Sequence, residues 1–121
     1  MKKENKQRKL SEAGRIFAAK RDAVRHVACA DGNTYGFDCA NDDITNFLAA
    51  WKAAELSGST DYKVWLDENT KGMVVLTLED FKTVFDAVRS SQLADYAWYE
   101  VKRAVIEACS TQDELDAVAL E

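Results

Sequence analysis

The stretch Val64-Trp65-Leu66-Asp67-Glu68-Asn69-Thr70-Lys71-Gly72-Met73-Val74-Val75-Leu76-Thr77-Leu78-Glu79-Asp80 decides the fold. Two β-prone apolar runs, Val64–Leu66 and Met73–Leu76, flank a cluster of turn residues running from Asp67 to Gly72. That pattern predicts a β-hairpin. Thr77 followed three residues later by Asp80 is an acidic variant of the capping box and predicts a helix directly after the second strand. Leu78, Phe81, Phe85 and Val88 fall at helical spacing along it. No glycine or proline follows Gly72, so nothing stops this helix before about Cys109, with Ser90-Ser91 as a place for a bend.

Reading toward the N-terminus, the same grammar recurs. Asp31-Gly-Asn-Thr-Tyr-Gly36 matches Asp67-Glu-Asn-Thr-Lys-Gly72 as D-x-N-T-x-G. Val27–Cys29 and Tyr35–Phe37 flank the turn of the first copy, Asp31-Gly32-Asn33, as short strands. Asn41 is placed to cap a helix over about 42–56 with the stripe Ile44, Phe47, Leu48 and Trp51. Ser57-Gly58-Ser59 stops it, Gly58 suiting a left-handed C-terminal position. Leu10, Ala13, Ile16, Phe17 and Val24 predict a first helix over about 8–25, weakened at Gly14. Toward the C-terminus, Thr111 and Glu114 form a capping box for a short last helix bearing Leu115 and Val118. The fold expected is α+β in the order α-β-β-α-β-β-α-α, two hairpins joining in a small antiparallel sheet packed by helices. Residues 1–9 read as a basic flexible tail and 10–121 as a single domain.

The chain has 121 residues, 47% hydrophobic and 31% charged. A chain of this size buries roughly two thirds of its unfolded surface and needs no disulfide or metal to hold it. No apolar run approaches the roughly 20 residues of a membrane span, and no signal-peptide core follows the basic start. Cys29, Cys39 and Cys109 are odd in number and lack a CxxC, so reduced thiols are expected, with a Cys29–Cys39 bridge as the alternative.

Residues 1–26 carry nine Lys/Arg against three acids, a net of +6, which leaves −11 on the rest of a chain whose total is −5. Lys2, Lys3, Arg8 and Lys9 form an electrostatic steering tail in this reading, and the acidic body argues against nucleic-acid binding. D-x-N-x-x-G resembles the start of a calcium loop, but Lys71 stands at a ligand position and the flanks are strands, so no metal is expected. The acidic pairs Asp42-Asp43, Glu79-Asp80 and Asp113-Glu114 sit at helix starts, where the helix dipole explains them. His26, the single histidine, lacks an orienting partner in sequence, and no glycine-rich phosphate loop occurs. No catalytic residue and no cofactor is expected.

On the long helix a second apolar stripe, Trp98, Val101, Val105 and Cys109, lies apart from the face of Phe81, Phe85, Val88, Tyr96, Tyr99 and Ile106. Either the last helix folds back so that Leu115 and Val118 cover it, or it binds a partner or a second copy. Trp98, Val101 and Val105 are the candidate partner-binding residues.

The order of motifs from Asp31 to Leu120 resembles an uncharacterised domain family of tailed bacteriophages, often found at the C-terminal end of phage tail and tail-fibre-assembly proteins. The resemblance is carried by Phe37-Asp38, the helix from Ile44 to Trp51, Trp65 before Asp67-Glu68-Asn69, Leu76-Thr77-Leu78, Ile106-Glu107-Ala108, and Thr111, Glu114 and Leu115. It implies a phage or prophage accessory protein of the tail or its assembly, non-enzymatic, acting by protein–protein contact in the host bacterial cytoplasm or the virion. The alternative is a small acidic phage-encoded inhibitor of a host defence protein, which one continuous acidic face would favour.

Overall fold

A computed structural model describes residues Met1–Glu121. The elements are α1 (Lys3–Asp22), β1 (Arg25–Ala28), β2 (Thr34–Phe37), α2 (Asn41–Ser57), β3 (Ser59–Trp65), β4 (Lys71–Thr77), α3 (Leu78–Ala108) and α4 (Gln112–Asp116). The class is α+β, in the order the sequence predicts. The chain divides into two compact units, one formed by Asp22–Ser91 and the other by Met1–Arg21 with Gln92–Glu121.

In the first unit the strands form an antiparallel meander, β1-β2-β3-β4. The β3–β4 register runs from Ser59 opposite Thr77 to Trp65 opposite Lys71. Side chains alternate across a strand, so Thr60, Tyr62 and Val64 turn to one face with Gly72, Val74 and Leu76. There they meet Val27, Tyr35 and Phe37 of the first hairpin, Phe47 and Ala54 of α2, and Phe81, Val84 and Val88 of α3. Phe47 sits at the centre, with ring centroids 5.2 Å from Phe81, 5.3 Å from Tyr62 and 6.3 Å from Phe37. Burial, then the charges of Asp43 and Asp38, push the Tyr62 hydroxyl up from 10.0 to about 12.

The turns follow their chemistry. Asp31 Oδ1 accepts the Asn33 N–H at 2.9 Å, and Asp67 Oδ1 accepts the Asn69 and Thr70 N–H groups at 2.8 Å. That is why Asp opens both D-x-N-T-x-G copies. Gly58 ends α2 at φ 91°, in the left-handed region. The start of α2 differs from expectation: the N-cap is Ala40, not Asn41, and Asp43 Oδ2 accepts the Ala40 N–H at 3.1 Å. One reciprocal bond from the third helical residue thus replaces the cap side chain.

In the second unit Ala13, Ile106, Cys109 and Leu115 are buried together, with Leu10, Tyr99, Val118 and Leu120 packed against them. Phe17 stacks on Tyr99 with centroids 4.8 Å apart and meets Tyr96 at 4.8 Å. Here the expected basic tail is corrected. Residues 3–9 are the first two turns of α1, because Asn5 Nδ2 donates to Gln112 Oε1 at 2.9 Å and Lys6 Nζ to the Glu107 carbonyl at 2.9 Å. Thr111 caps α4, its Oγ1 accepting the Glu114 N–H at 3.1 Å.

Candidate protein-binding surface

The second half of α3 leaves an apolar face in water. Leu93 is 50% exposed, Val101 60% and Val105 46%. Ala94, Ala97, Ala104 and Ala108 are also exposed. At 100° per residue these seven positions fall within one arc of about 120°, and they extend about 22 Å along the axis. Ala94, Ala97, Val101, Ala104 and Ala108 keep the alternating three- and four-residue spacing of a helix–helix seam, with small residues that permit close approach. The first half of α3 carries Thr83, Asp86, Ala87 and Ser90 in the same arc, so the apolar face is confined to the C-terminal half.

The residues singled out from sequence separate. Val101 and Val105 lie on this face. Trp98 is half-buried, with Lys20 Nζ 5.0 Å from its ring centroid, so it forms the rim of the face and not its middle. Cys109 turns inward to Leu115 and Val118, so the C-terminal segment covers that one member of the stripe and leaves Val101 and Val105 uncovered. Leu93 and the four alanines were not among the residues singled out. Their seam spacing was visible in the chain, but alanine carries little weight in an apolar-periodicity reading.

The basic residues take different places. Lys2 precedes α1, and Lys3 and Arg8 are exposed on or beside its first turns. Arg8 and Lys9 line a cleft of about 310 Å³ with Asn5, Glu12, Gln112, Leu115 and Asp116. Its two cations face two carboxylates, and Gln112 Nε2 donates to Asp116 at 2.8 Å, so the cleft is largely self-neutralised.

Five of the twelve carboxylates of the sheet unit are engaged within it. Asp43 and Asp80 bond backbone N–H groups at helix starts, and Asp31 and Asp67 bond those of the hairpin turns. Asp38 accepts the Trp65 indole N–H at 2.9 Å and binds Lys71, whose Nζ lies 4.7 Å from the Trp65 ring centroid. Burial raises Asp38, but the bonds from Lys71 and Trp65 outweigh it and hold its carboxyl below the ordinary 3.8.

No disulfide joins Cys29, Cys39 and Cys109. Burial, then the charges of Asp80 and Asp31, push Cys29 up from 9.0 to about 11, which keeps it protonated and unreactive at neutral pH. No three His, Cys, Asp or Glu side chains gather as a metal site. No helix is long and apolar enough to cross a membrane.

The motif residues that carried the resemblance build the fold. Phe37, Leu76, Ile106 and Leu115 are buried, Asp38 and Trp65 bond each other, and Thr77 and Thr111 cap helices. No curated protein and no solved structure matches the chain. The family model described as "Domain of unknown function (DUF4376)" matches residues 4–119, nearly the whole length, and the chain belongs to that family.

Proposed function

We propose that this protein is a non-enzymatic binding domain that serves the tail of a phage or prophage, or its assembly, and that it holds its protein partner on the exposed face of α3. One observation carries the binding role: an uncovered apolar strip in which Ala94, Ala97, Val101, Ala104 and Ala108 keep helix–helix spacing and Leu93 and Val105 flank them. The order of motifs from Phe37-Asp38 to Leu115 supports the tail setting. The inhibitor reading has less support, because five carboxylates of the sheet unit are engaged in caps, turns and the Trp65 contact.

The test is affinity capture from prophage-induced cells with the wild-type chain and with Val101→Lys, read by mass spectrometry. Tail or fibre proteins held by the wild type and lost with Val101→Lys, at unchanged helical circular dichroism, are the expected result. A charge at the middle of a partner seam costs on the order of 2 kcal/mol or more of binding. Capture of a host nuclease or other defence protein, insensitive to Val101→Lys, would move the inhibitor reading ahead.

A further inference from the structure

The two edges of the sheet are unlike. The β1 edge is four residues long and carries Arg25 and His26. The β4 edge is seven residues long, and from Gly72 to Thr77 it holds no charge and no proline. Natural sheets protect an edge with shortness, lysine, proline or a bulge; β1 uses the first and carries charge, and β4 between Gly72 and Thr77 uses none of them.

Hydrogen-bond alternation identifies which groups β4 leaves open. The Leu66 N–H donates to the Thr70 carbonyl at 2.8 Å, which makes 66 opposite 70 a closely bonded pair. The register is regular from there. Bonded and non-bonded pairs alternate in an antiparallel ladder, so Gly72, Val74 and Leu76 spend their N–H and C=O on β3. Lys71, Met73 and Val75 point theirs outward, whereas the Thr77 N–H is bonded to Asp80 Oδ2 at 3.0 Å and its carbonyl opens α3. The same residues put their side chains on the face away from the helices, where Met73 is 62% and Val75 60% exposed.

We infer that β4 pairs antiparallel with β4 of a second copy of this chain, about a two-fold axis at Val74, to make one continuous eight-stranded sheet. The row is self-complementary in this register. Met73 of one copy stands opposite Val75 of the other, twice about the axis, so the open groups of both residues meet and about four inter-strand bonds form. A shift of one residue in the pairing sum would set outward groups against inward ones. Met73 and Val75 shield each other twice across the junction. An unrelated extended peptide would gain the same backbone bonds but not this matched side-chain row. This pairing uses no residue of the α3 face and stands apart from the proposed tail role.

The experiment is sedimentation analysis of the full chain over a wide concentration range, with Met73→Lys/Val75→Lys and Val101→Lys alongside. The wild type and Val101→Lys are expected to double in mass as concentration rises, and the double lysine variant to stay monomeric. Should that variant unfold, amide exchange on the wild type decides: Met73 and Val75 amides must slow as the dimer forms, while Val74 and Leu76, bonded within the chain, do not change. A wild type that stays monomeric overturns the inference. So does a dimer that survives the lysines in β4, or one lost only with Val101→Lys, which would assign self-association to α3.

Discussion

A methyl group placed at Gly36 would lie 2.9 Å from Trp65 Cβ and 3.0 Å from Val24 Cγ1. Gly36 is the residue of β2 paired with Trp65, so no shift of a flexible side-chain end relieves the clash. Gly36→Ala is therefore expected to destabilise by about 1–3 kcal/mol, the ordinary range for overpacking. Gly14 is the contrasting case: a methyl there meets only the Tyr99 hydroxyl, at ordinary contact distance of 3.8 Å. Inside a helix that change should stabilise by about 0.5–1 kcal/mol. Urea midpoints of the two variants against wild type check both signs. These glycines mark what one chain can and cannot tell. The Asp of D-x-N-T-x-G reads correctly as a turn former from its own hydrogen bonds. Gly36 reads as part of the strand Tyr35–Phe37 and lies in β2, but that it makes room for Trp65, a residue 29 positions further along, is written in no local pattern.

Among the elements, α3 was the most legible and α1 the least. Thr77 and Asp80 announce the start of α3 because both halves of the box are local: Asp80 N–H donates to Thr77 Oγ1 at 3.1 Å and Thr77 N–H to Asp80 Oδ2 at 3.0 Å. The sequence did not reveal that Asp80 Oδ1 also accepts the Ala30 N–H at 2.7 Å, which ties the first hairpin turn to the helix start. Asp80 is buried, and Asp80→Ala leaves two backbone donors without their acceptor. A loss of about 2–4 kcal/mol is expected, more than a cap alone, measurable by thermal unfolding. Asp80→Asn, which keeps one acceptor oxygen, should lose less. The opening turns of α1 gave no periodic signal, since their side chains are polar. They are held by Asn5 to Gln112, a contact across 107 positions that no window of sequence contains. The free face of α3 is half legible in the same way. Its spacing is written in the helix, whereas its exposure depends on where α1 and the last residues pack.

At the scale of the whole molecule, ionisation sets a stability plateau with two shoulders. Asp31 is held below 3.8 by the Tyr35 hydroxyl and the Asn33 N–H, and Asp67 by the Asn69 N–H; Asp38 joins them. Depressed carboxyls contribute stability that is full above their unfolded value and lost as pH falls through the folded one, so the acid shoulder lies below about pH 4. Cys29 and Tyr62 work in the other direction. Their folded values are raised to about 11 and about 12, so stability is full below 9.0 and is lost as pH climbs toward 11 and 12. Urea midpoints across pH should fall at both ends. Cys29→Ala should flatten the curve between pH 9 and 11, and Tyr62→Phe the part between 10 and 12. An unchanged alkaline limb in both variants would assign it to other groups.

The division of the chain also fixes an order of events during synthesis. Asp22–Ser91 is one unbroken segment, and each strand pairs with the next along the chain, so the sheet can close as soon as that segment has emerged from the ribosome. Met1–Arg21 is made before that segment but finds its packing partners in Gln92–Glu121, made after it. At about 5–20 residues per second, Phe17 and Ala13 wait several seconds for Tyr99, Ile106 and Leu115. A ribosome stalled with Gln92–Glu121 still inside its exit tunnel should therefore carry a protease-resistant Asp22–Ser91 and an α1 that is still cut.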